Sequence, residues 1–240
     1  MTGLRKLTVV ELKLLLRNPS WLFTIGIPLF SLLIFGLPIR NGGGTGTDLS
    51  GLTATAVTTS LALVGLYMVP VTLVTYRDKG ILRRFSTTPL NPVTLLIVQL
   101  VLHLGLIAVS TGFLIAVARI VLDVSLPPEF LGFTAAFLLA ACAMFAIGLV
   151  IASVAPSAPA ANGIGVLLFF PMAFLAGLMV PPAMMSPMLL EIGNLTPLGA
   201  FRHAVEHVWM GEFPPVEPLR VMAAFAIAAG LIAVKAFRWD

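Results

Sequence analysis

Long apolar stretches divide the chain, and within each stretch the apolar positions are continuous rather than alternating with polar ones. Strands of a membrane barrel alternate with period two, so the pattern argues against them. A helix needs roughly 17–25 mostly apolar residues to cross a hydrocarbon core about 30 Å thick. The stretches that meet this length are Trp21–Pro38, Leu52–Tyr76, Thr94–Ala118, Leu131–Val154, Gly163–Val180 and Leu219–Phe237. The pattern predicts an all-α integral membrane protein with six transmembrane helices.

Threonines dilute the start of the second stretch, at positions that include Thr53, Thr55, Thr58 and Thr59. A threonine hydroxyl can donate a hydrogen bond to the backbone carbonyl one helical turn earlier, which satisfies it inside a membrane. We therefore keep this segment as a span.

Composition supports a lipid environment. Of the 240 residues, 59% are hydrophobic and 10% are charged, and the mean hydropathy is +1.06. Soluble domains carry about 25% charged residues, so this chain could not cover its surface in water. The one cysteine, Cys142, excludes an intrachain disulfide and a cysteine metal cluster. Its apolar neighbours predict a buried, inert thiol.

The basic residues predict the orientation of the spans. With the N-terminus in the cytoplasm, ten of the 14 Lys and Arg residues fall inside and four outside. The inner ones are Arg5, Lys6, Lys13, Arg17, Arg77, Lys79, Arg83, Arg84, Lys235 and Arg238, and the outer ones are Arg40, Arg119, Arg202 and Arg220. Basic residues concentrate in cytoplasmic loops. Both termini are therefore expected in the cytoplasm, and the net charge of +4 needs no nucleic-acid partner.

The chain is expected to form a single domain over residues 1–240, with a surface helix at its start. Leucines and valines recur at helical spacing within residues 1–19, with Arg5, Lys6, Lys13 and Arg17 between them. Such a helix lies in the membrane interface. Asn18-Pro19 is expected to end it.

The loop at residues 76–91 carries the densest basic cluster between spans. Gly80 permits a turn, and Pro89 ends any helix that follows. A short helix in between would expose Arg83 and Arg84 beside the apolar side chains of Leu82 and Phe85. Such a surface suits the docking of a soluble partner. The alternative is a loop whose charges only fix the topology.

The segment at residues 181–218 is too apolar for a free outer loop, yet prolines interrupt it. Irregular backbone at membrane depth is tolerated where protein or a water-filled cavity covers it. We expect re-entrant helices that form an outer gate.

These two segments resemble those of the ABC-2 type permeases, the membrane subunits of bacterial ATP-driven exporters. In that family the first loop commonly reads as a charged cluster, Gly-Thr-Leu, Arg and Thr-Pro-Leu. This chain follows the order with Asp78, Lys79, Gly80, Leu82, Arg83 or Arg84, Thr88, Pro89 and Leu90. It departs from the family pattern at Ile81, where Thr is usual, and at Asp78, where Glu is commoner. Its late segment matches with Gly177, Pro181, Pro182, Asn194, Pro197 and Arg202. The resemblance covers essentially the whole chain.

The resemblance implies a role in ATP-driven export of a drug, antibiotic, lipid or polysaccharide across the bacterial cytoplasmic membrane. It implies that the first loop, through Asp78–Phe85, Thr88 and Pro89, docks onto a dimer of ABC ATPase subunits. A second permease subunit, identical or related, would complete the path. The chain itself contains no P-loop, and the glycines at 42–46 are followed by no lysine. It is therefore expected to be no enzyme and to bind no cofactor, with ATP and Mg²⁺ on the partner.

Three histidines are the remaining candidates for chemistry. His103 lies inside the third stretch and either hydrogen-bonds a neighbouring helix or lines the substrate path. The run from His203 to His207 matches H-x-x-E-H, but it lacks an evident third ligand and a peptidase domain. We expect no metal there and an amphipathic outer helix instead. The rival functions are a membrane scaffold and an ion-coupled carrier, although no acidic residue lies within the six stretches, where such a carrier usually has one.

Overall fold

Helices account for almost all of the regular structure in the computed structural model, which describes residues 2–43, 49–80 and 92–236. Within these ranges no strand occurs. The α-helices are α1 (Thr2–Arg17), α2 (Ser20–Pro38), α3 (Leu49–Leu63), α4 (Val69–Asp78), α5 (Pro92–Leu122), α6 (Phe130–Val154), α7 (Ala158–Leu175), α8 (Pro187–Asn194), α9 (Pro197–Trp209) and α10 (Val216–Ala236). The all-helical prediction is confirmed.

The described helices include six that are long and apolar enough to cross a membrane. These spans are Ser20–Gly42, Leu49–Asp78, Val93–Leu122, Phe130–Val154, Ala158–Leu175 and Val216–Ala236. The number of spans agrees with the prediction from the sequence. The second and fourth spans form the centre, since 72% and 61% of the residues in their most apolar stretches are buried. The first, fifth and sixth lie at the periphery, with 22%, 17% and 17% buried.

The threonines of the second span form the backbone hydrogen bonds predicted from the sequence. The hydroxyls of Thr53, Thr55, Thr58 and Thr59 each donate to the carbonyl four residues earlier, at 2.8–2.9 Å. The same span joins α3 to α4 through a π-helical segment, Val64–Met68. Pro70 follows it and has no N–H to give to the carbonyl of Leu66.

The fourth and fifth spans both approach the backbone of this π segment closely. A Cβ added to Gly148 of α6 would lie 2.4 Å from the carbonyl oxygen of Gly65, and one added to Gly165 of α7 would lie 2.2 Å from that of Leu66. Glycine is therefore required at both crossings. Gly105, Gly112 and Gly163, which have helix-packing spacing in the sequence, meet no atom of the described chain within 4 Å at their Cβ positions.

The fifth span is displaced relative to the stretch predicted from hydropathy. The helix begins earlier because the Ser157 hydroxyl caps it by accepting from the Ala160 N–H, and Pro159 occupies its first turn. It ends at Leu175 because Gly177 adopts a left-handed conformation with φ of +73°. The apolar residues from 176 to 180 belong to the turn that follows, rather than to the span.

Cys142 corrects a prediction at the level of one residue. Its side chain is exposed on the outer face of α6 in the single chain. Hydropathy places a residue in a membrane helix but does not say whether it faces the bundle, and this residue faces away from it.

Candidate functional site

The end of the second span is hydrogen-bonded to the connection between the fourth and fifth spans. The Asp78 carboxylate accepts a hydrogen bond from the Ala158 N–H at the start of α7, at 3.0 Å. The Arg77 guanidinium donates to the carbonyls of Ala152 (3.1 Å) and Ala155 at the end of α6. Asp78 thus caps the N-terminus of the fifth span, where negative charge is favoured. One residue pair therefore links the start of the predicted docking loop to two other spans.

The structure describes some of the predicted docking residues. Lys79 is exposed, and Gly80 adopts a φ of +64° with its N–H donating to Arg77, so the chain turns here. The remaining docking candidates lie outside the described residues: Leu82, Arg83, Arg84, Phe85, Thr88 and Pro89.

A buried polar node, formed by Glu11, Tyr76 and Gln99, joins the surface helix α1 to the same end of the bundle. The Glu11 carboxylate, 5% exposed, accepts from the Tyr76 hydroxyl and from the Gln99 side-chain amide, each at 2.5 Å. Tyr76 belongs to the second span and Gln99 to the third. Leu7, one turn before Glu11, packs against Leu95 and Val98 of α5. The surface helix therefore contacts the bundle through a specific polar centre.

His103 lies one turn beyond Gln99. It is 1% exposed, and its Nδ1 contacts the Gln99 carbonyl oxygen at 2.7 Å. Its Nε2 has no hydrogen-bond partner among the described residues. His103 is therefore buried within the third span, and it is not among the residues that line the cavity described next.

A cavity of about 700 Å³ opens between the first, second and fifth spans. Its wall is mostly apolar and includes Phe35, Phe169 and Leu178, with polar contributions from Thr55 and Thr59. Gly177, Pro181 and Pro182, which the sequence marked as part of an outer gate, also line it. The cavity thus extends from within the spans to the turn that follows the fifth span.

The helices after this turn pack into the bundle. In α9, the residues Leu198, Phe201, Ala204, Val205 and Val208 are all fully buried. A Cβ on Gly193 would lie 2.0 Å from the Leu175 carbonyl oxygen, so α8, which ends at Asn194, lies tightly against the end of the fifth span. Thr196 caps α9 by accepting from Gly199 at 3.2 Å, with Pro197 in the first turn. Of this part of the chain, Pro181, Pro182, Ala183 and Glu206 of α9 line the cavity.

Arg202 is a buried charged residue of α9. It is 4% exposed and forms an ion pair with Glu206, whose side chain lines the cavity. Its Nε has no hydrogen-bond partner in the described residues. A second ion pair, Arg40–Asp123 at 2.5 Å, links the ends of the first and third spans, and the Trp209 indole donates to the Ser125 carbonyl at 3.0 Å.

The two histidines of α9 lie on one face. Their Nε2 atoms are 3.3 Å apart, and Nδ1 of His207 is 2.9 Å from the Glu212 carboxylate. Burial, then the neighbouring His207 and Arg202, lower the pKa of His203, while Glu217 acts in the opposite direction.

The family model of the ABC-2 type transporter matches residues 2–209. The chain belongs to this family. It is therefore a membrane component of an ABC transporter, and an ABC ATPase is its partner in the family's architecture. No curated protein matches the chain. The match covers the surface helix, the docking loop, the first five spans and α9 of this permease.

Sequence analysis singled out Asp78, Pro181 and Pro182 of the permease. It did not single out Glu11, Gln99 and Arg77, whose side chains form hydrogen bonds between helices. One signal was available, since Glu11 is the only acidic residue among the basic and apolar residues of α1. A lone acid on the face that carries Leu7 indicates a buried partner rather than water.

Proposed function

We propose that this permease exports a hydrophobic or amphipathic molecule, such as a drug, an antibiotic or a lipid, across a bacterial cytoplasmic membrane. The supporting observation is the 700 Å³ cavity between the first, second and fifth spans. Its size lies within the roughly 300–1,000 Å³ of small-molecule sites, which are mostly apolar with a few polar groups that fix orientation. The hydroxyls of Thr55 and Thr59 and the carboxylate of Glu206 are such groups.

The fifth span offers a direct mechanical route from the ATPase to this cavity. Its first residues are bonded to Asp78, next to the docking loop, and Phe169 and Ala173 near its other end line the cavity. An 18-residue helix is about 27 Å long. Closure of the ATPase dimer around ATP would move the Asp78–Phe85 element, and α7 would carry that movement to the Gly177–Pro182 turn.

Opening at that turn would release the substrate outward, with residues 181–200 as the gate. The second half of the path comes from another permease subunit, identical or related. The peripheral position of the first and fifth spans, which both line the cavity, leaves them available to meet it. ATP and Mg²⁺ bind the partner ATPase in this proposal.

Purification from the native membrane tests the docking site. We would isolate the tagged permease and its Arg83→Glu plus Arg84→Glu variant in detergent, identify copurifying proteins and assay ATPase activity. We expect a P-loop ATPase with the parent permease and its loss from the variant. A matched control is Arg5→Glu plus Lys6→Glu, which reverses two exposed charges on α1 and should retain the ATPase.

The outcomes separate the permease from the docking assignment. Copurification that survives the reversal at Arg83 and Arg84 would refute the docking site alone. Absence of any ATPase from folded parent protein would refute ATP-driven export by this chain and favour a scaffold or an ion-coupled carrier.

A further inference from the structure

Two imidazole rings meet edge to face on adjacent turns of α9. His203 and His207 have ring centres 4.9 Å apart, and their Nε2 atoms are separated by 3.3 Å. Two ligand atoms at about 2.0–2.1 Å from a tetrahedral zinc ion lie about 3.3–3.4 Å from each other. The two rings are hydrogen-bonded through these atoms, and their separation is also the one that a shared metal ion requires, so an ion would take the place of the shared hydrogen.

Glu212 fixes the form of His207 that can bind a metal. Its carboxylate accepts a hydrogen bond from Nδ1 at 2.9 Å, so the neutral ring carries its hydrogen on Nδ1 and keeps the lone pair on Nε2. A carboxylate on the far nitrogen is the usual support of a metal-bound histidine, because it sets the ring orientation and raises its basicity. Here that support is in place beside the second histidine.

The surrounding charge favours a cation. Arg202 is the positive side chain next to the pair, and it is matched by Glu206. Glu212 and Glu217 add further negative charge, the first by hydrogen bonding His207 and the second through its electrostatic effect on His203. Zn²⁺ would bind Nε2 of the neutral His203 ring, whose hydrogen would then lie on Nδ1.

We propose that His203 and His207 form an open binding site for a divalent transition metal ion, preferably Zn²⁺. Imidazole nitrogen suits zinc, copper and nickel. In the described part of the chain, no cluster of three or more potential ligands forms. Water would therefore complete the coordination shell. The site is accessible, since 26% of the His207 side chain and 65% of the Glu212 side chain are exposed.

The proposed metal site lies next to the cavity, so a bound ion would affect the cavity wall. Glu206 lies between the two histidines in sequence and lines the cavity, and Arg202 precedes them. A bound ion joins two turns of α9 and, through Glu212, the residues that follow the helix. It would stiffen this wall of the cavity and raise the temperature at which the permease unfolds.

Calorimetric titration of the full chain with Zn²⁺ tests the proposal. The permease is purified in detergent with a histidine-free tag and stripped with a chelator. We expect one Zn²⁺ per chain. His203→Ala and His207→Ala should each weaken binding at least tenfold, and Glu212→Gln should weaken it by about 10–100-fold. Cu²⁺ in the same site should show two nitrogen ligands by electron paramagnetic resonance, and one in either histidine variant.

Two other variants serve as controls because the chain has three histidines and one cysteine. His103→Gln and Cys142→Ser should bind Zn²⁺ as the parent does. Unfolding temperatures without metal establish that each variant is folded. If His207→Ala does not fold, His207→Gln takes its place. Failure of the folded parent to bind Zn²⁺, or unchanged affinity after loss of either His203 or His207, would overturn the site.

Discussion

Hydrogen bonds join polar side chains of α1, the second span and the third span, which hydropathy treats as separate elements. Glu11 accepts hydrogen bonds from Tyr76 and Gln99, and Gln99 also lies 3.2 Å from the Tyr76 hydroxyl. A buried donor left without its acceptor costs about 1–3 kcal/mol, more than the net value of most hydrogen bonds. This asymmetry makes the node a test of how α1 is held.

Replacement of Glu11 by Ala should loosen α1. Tyr76 and Gln99 would lose their shared acceptor, so we expect the variant to be destabilised by about 1–3 kcal/mol. Thermal unfolding in detergent measures this loss, and trypsin should cleave faster at Lys13 and Arg17. Glu191→Ala, at an exposed position, is the control and should match the parent. Equal unfolding temperatures for both variants would show that the node does not hold the helix.

Asp78 is the second residue with a testable role. Asp78→Ala removes the carboxylate that accepts from the Ala158 N–H, so the fifth span should lose about 0.5–2 kcal/mol of capping energy. In the assembled transporter we expect ATP hydrolysis to continue with less transport for each ATP. The measurement is the ratio of the two rates in membrane vesicles. Asp123→Ala, which breaks the distant pair with Arg40, is the control. An unchanged ratio in Asp78→Ala would contradict the route through α7.

The sequence could identify Asp78 because it stands in an ordered motif, but it could not show what Asp78 bonds. That partner, Ala158, lies 80 residues away and is a backbone amide, which leaves no trace in the amino-acid pattern. The same holds for Arg77, whose acceptors are carbonyls. Polar side chains that bond to backbone are found only once the helices are placed.

At the scale of helices, some glycines lie at close helix crossings and others face open space, and alanine substitutions should distinguish the two groups. Gly148→Ala and Gly165→Ala would place a methyl group against carbonyl oxygens of the second span, at 2.4 Å and 2.2 Å. Overpacking of this kind costs about 1–3 kcal/mol. We expect a lower unfolding temperature and less folded protein for both variants.

Gly105→Ala and Gly112→Ala are the matched controls. Each lies inside α5 and meets no described atom within 4 Å, so alanine should be tolerated or stabilise the helix by roughly 0.5–1 kcal/mol. Unfolding measured by circular dichroism compares the four variants. If all four behaved alike, the close crossings at the π segment would be wrong.

Hydropathy was sufficient to predict six spans because the solvent of a membrane helix is uniform along its length. It misplaced the fifth because the ends of a helix depend on caps and turns. Ser157 starts α7, and the left-handed Gly177 ends it, although residues 176–180 remain apolar. The cavity was beyond prediction, since it is formed by residues of three spans that no periodicity brings together.

At the scale of the whole molecule, the contacts divide the chain into two ends. Glu11, Tyr76 and the Arg77–Ala155 contact lie at one end, while Arg40–Asp123 and Trp209–Ser125 lie at the other. These contacts agree with spans that alternate in direction. The basic residues predict which end is cytoplasmic, since ten of the 14 fall on the side of the N-terminus.

Labelling of single cysteines decides the orientation. In a Cys142→Ser background, Leu126→Cys places a thiol in the loop between the third and fourth spans, where Leu126 is 58% exposed. Lys79→Cys places one at the exposed start of the docking loop, across the third span from Leu126. In intact cells a membrane-impermeant maleimide should label the first variant, and the second only after permeabilisation, because the basic residues predict a cytoplasmic loop. The reverse result would put the docking loop outside the cell, where no ATP-driven partner could reach it, and would refute the proposed mechanism as a whole.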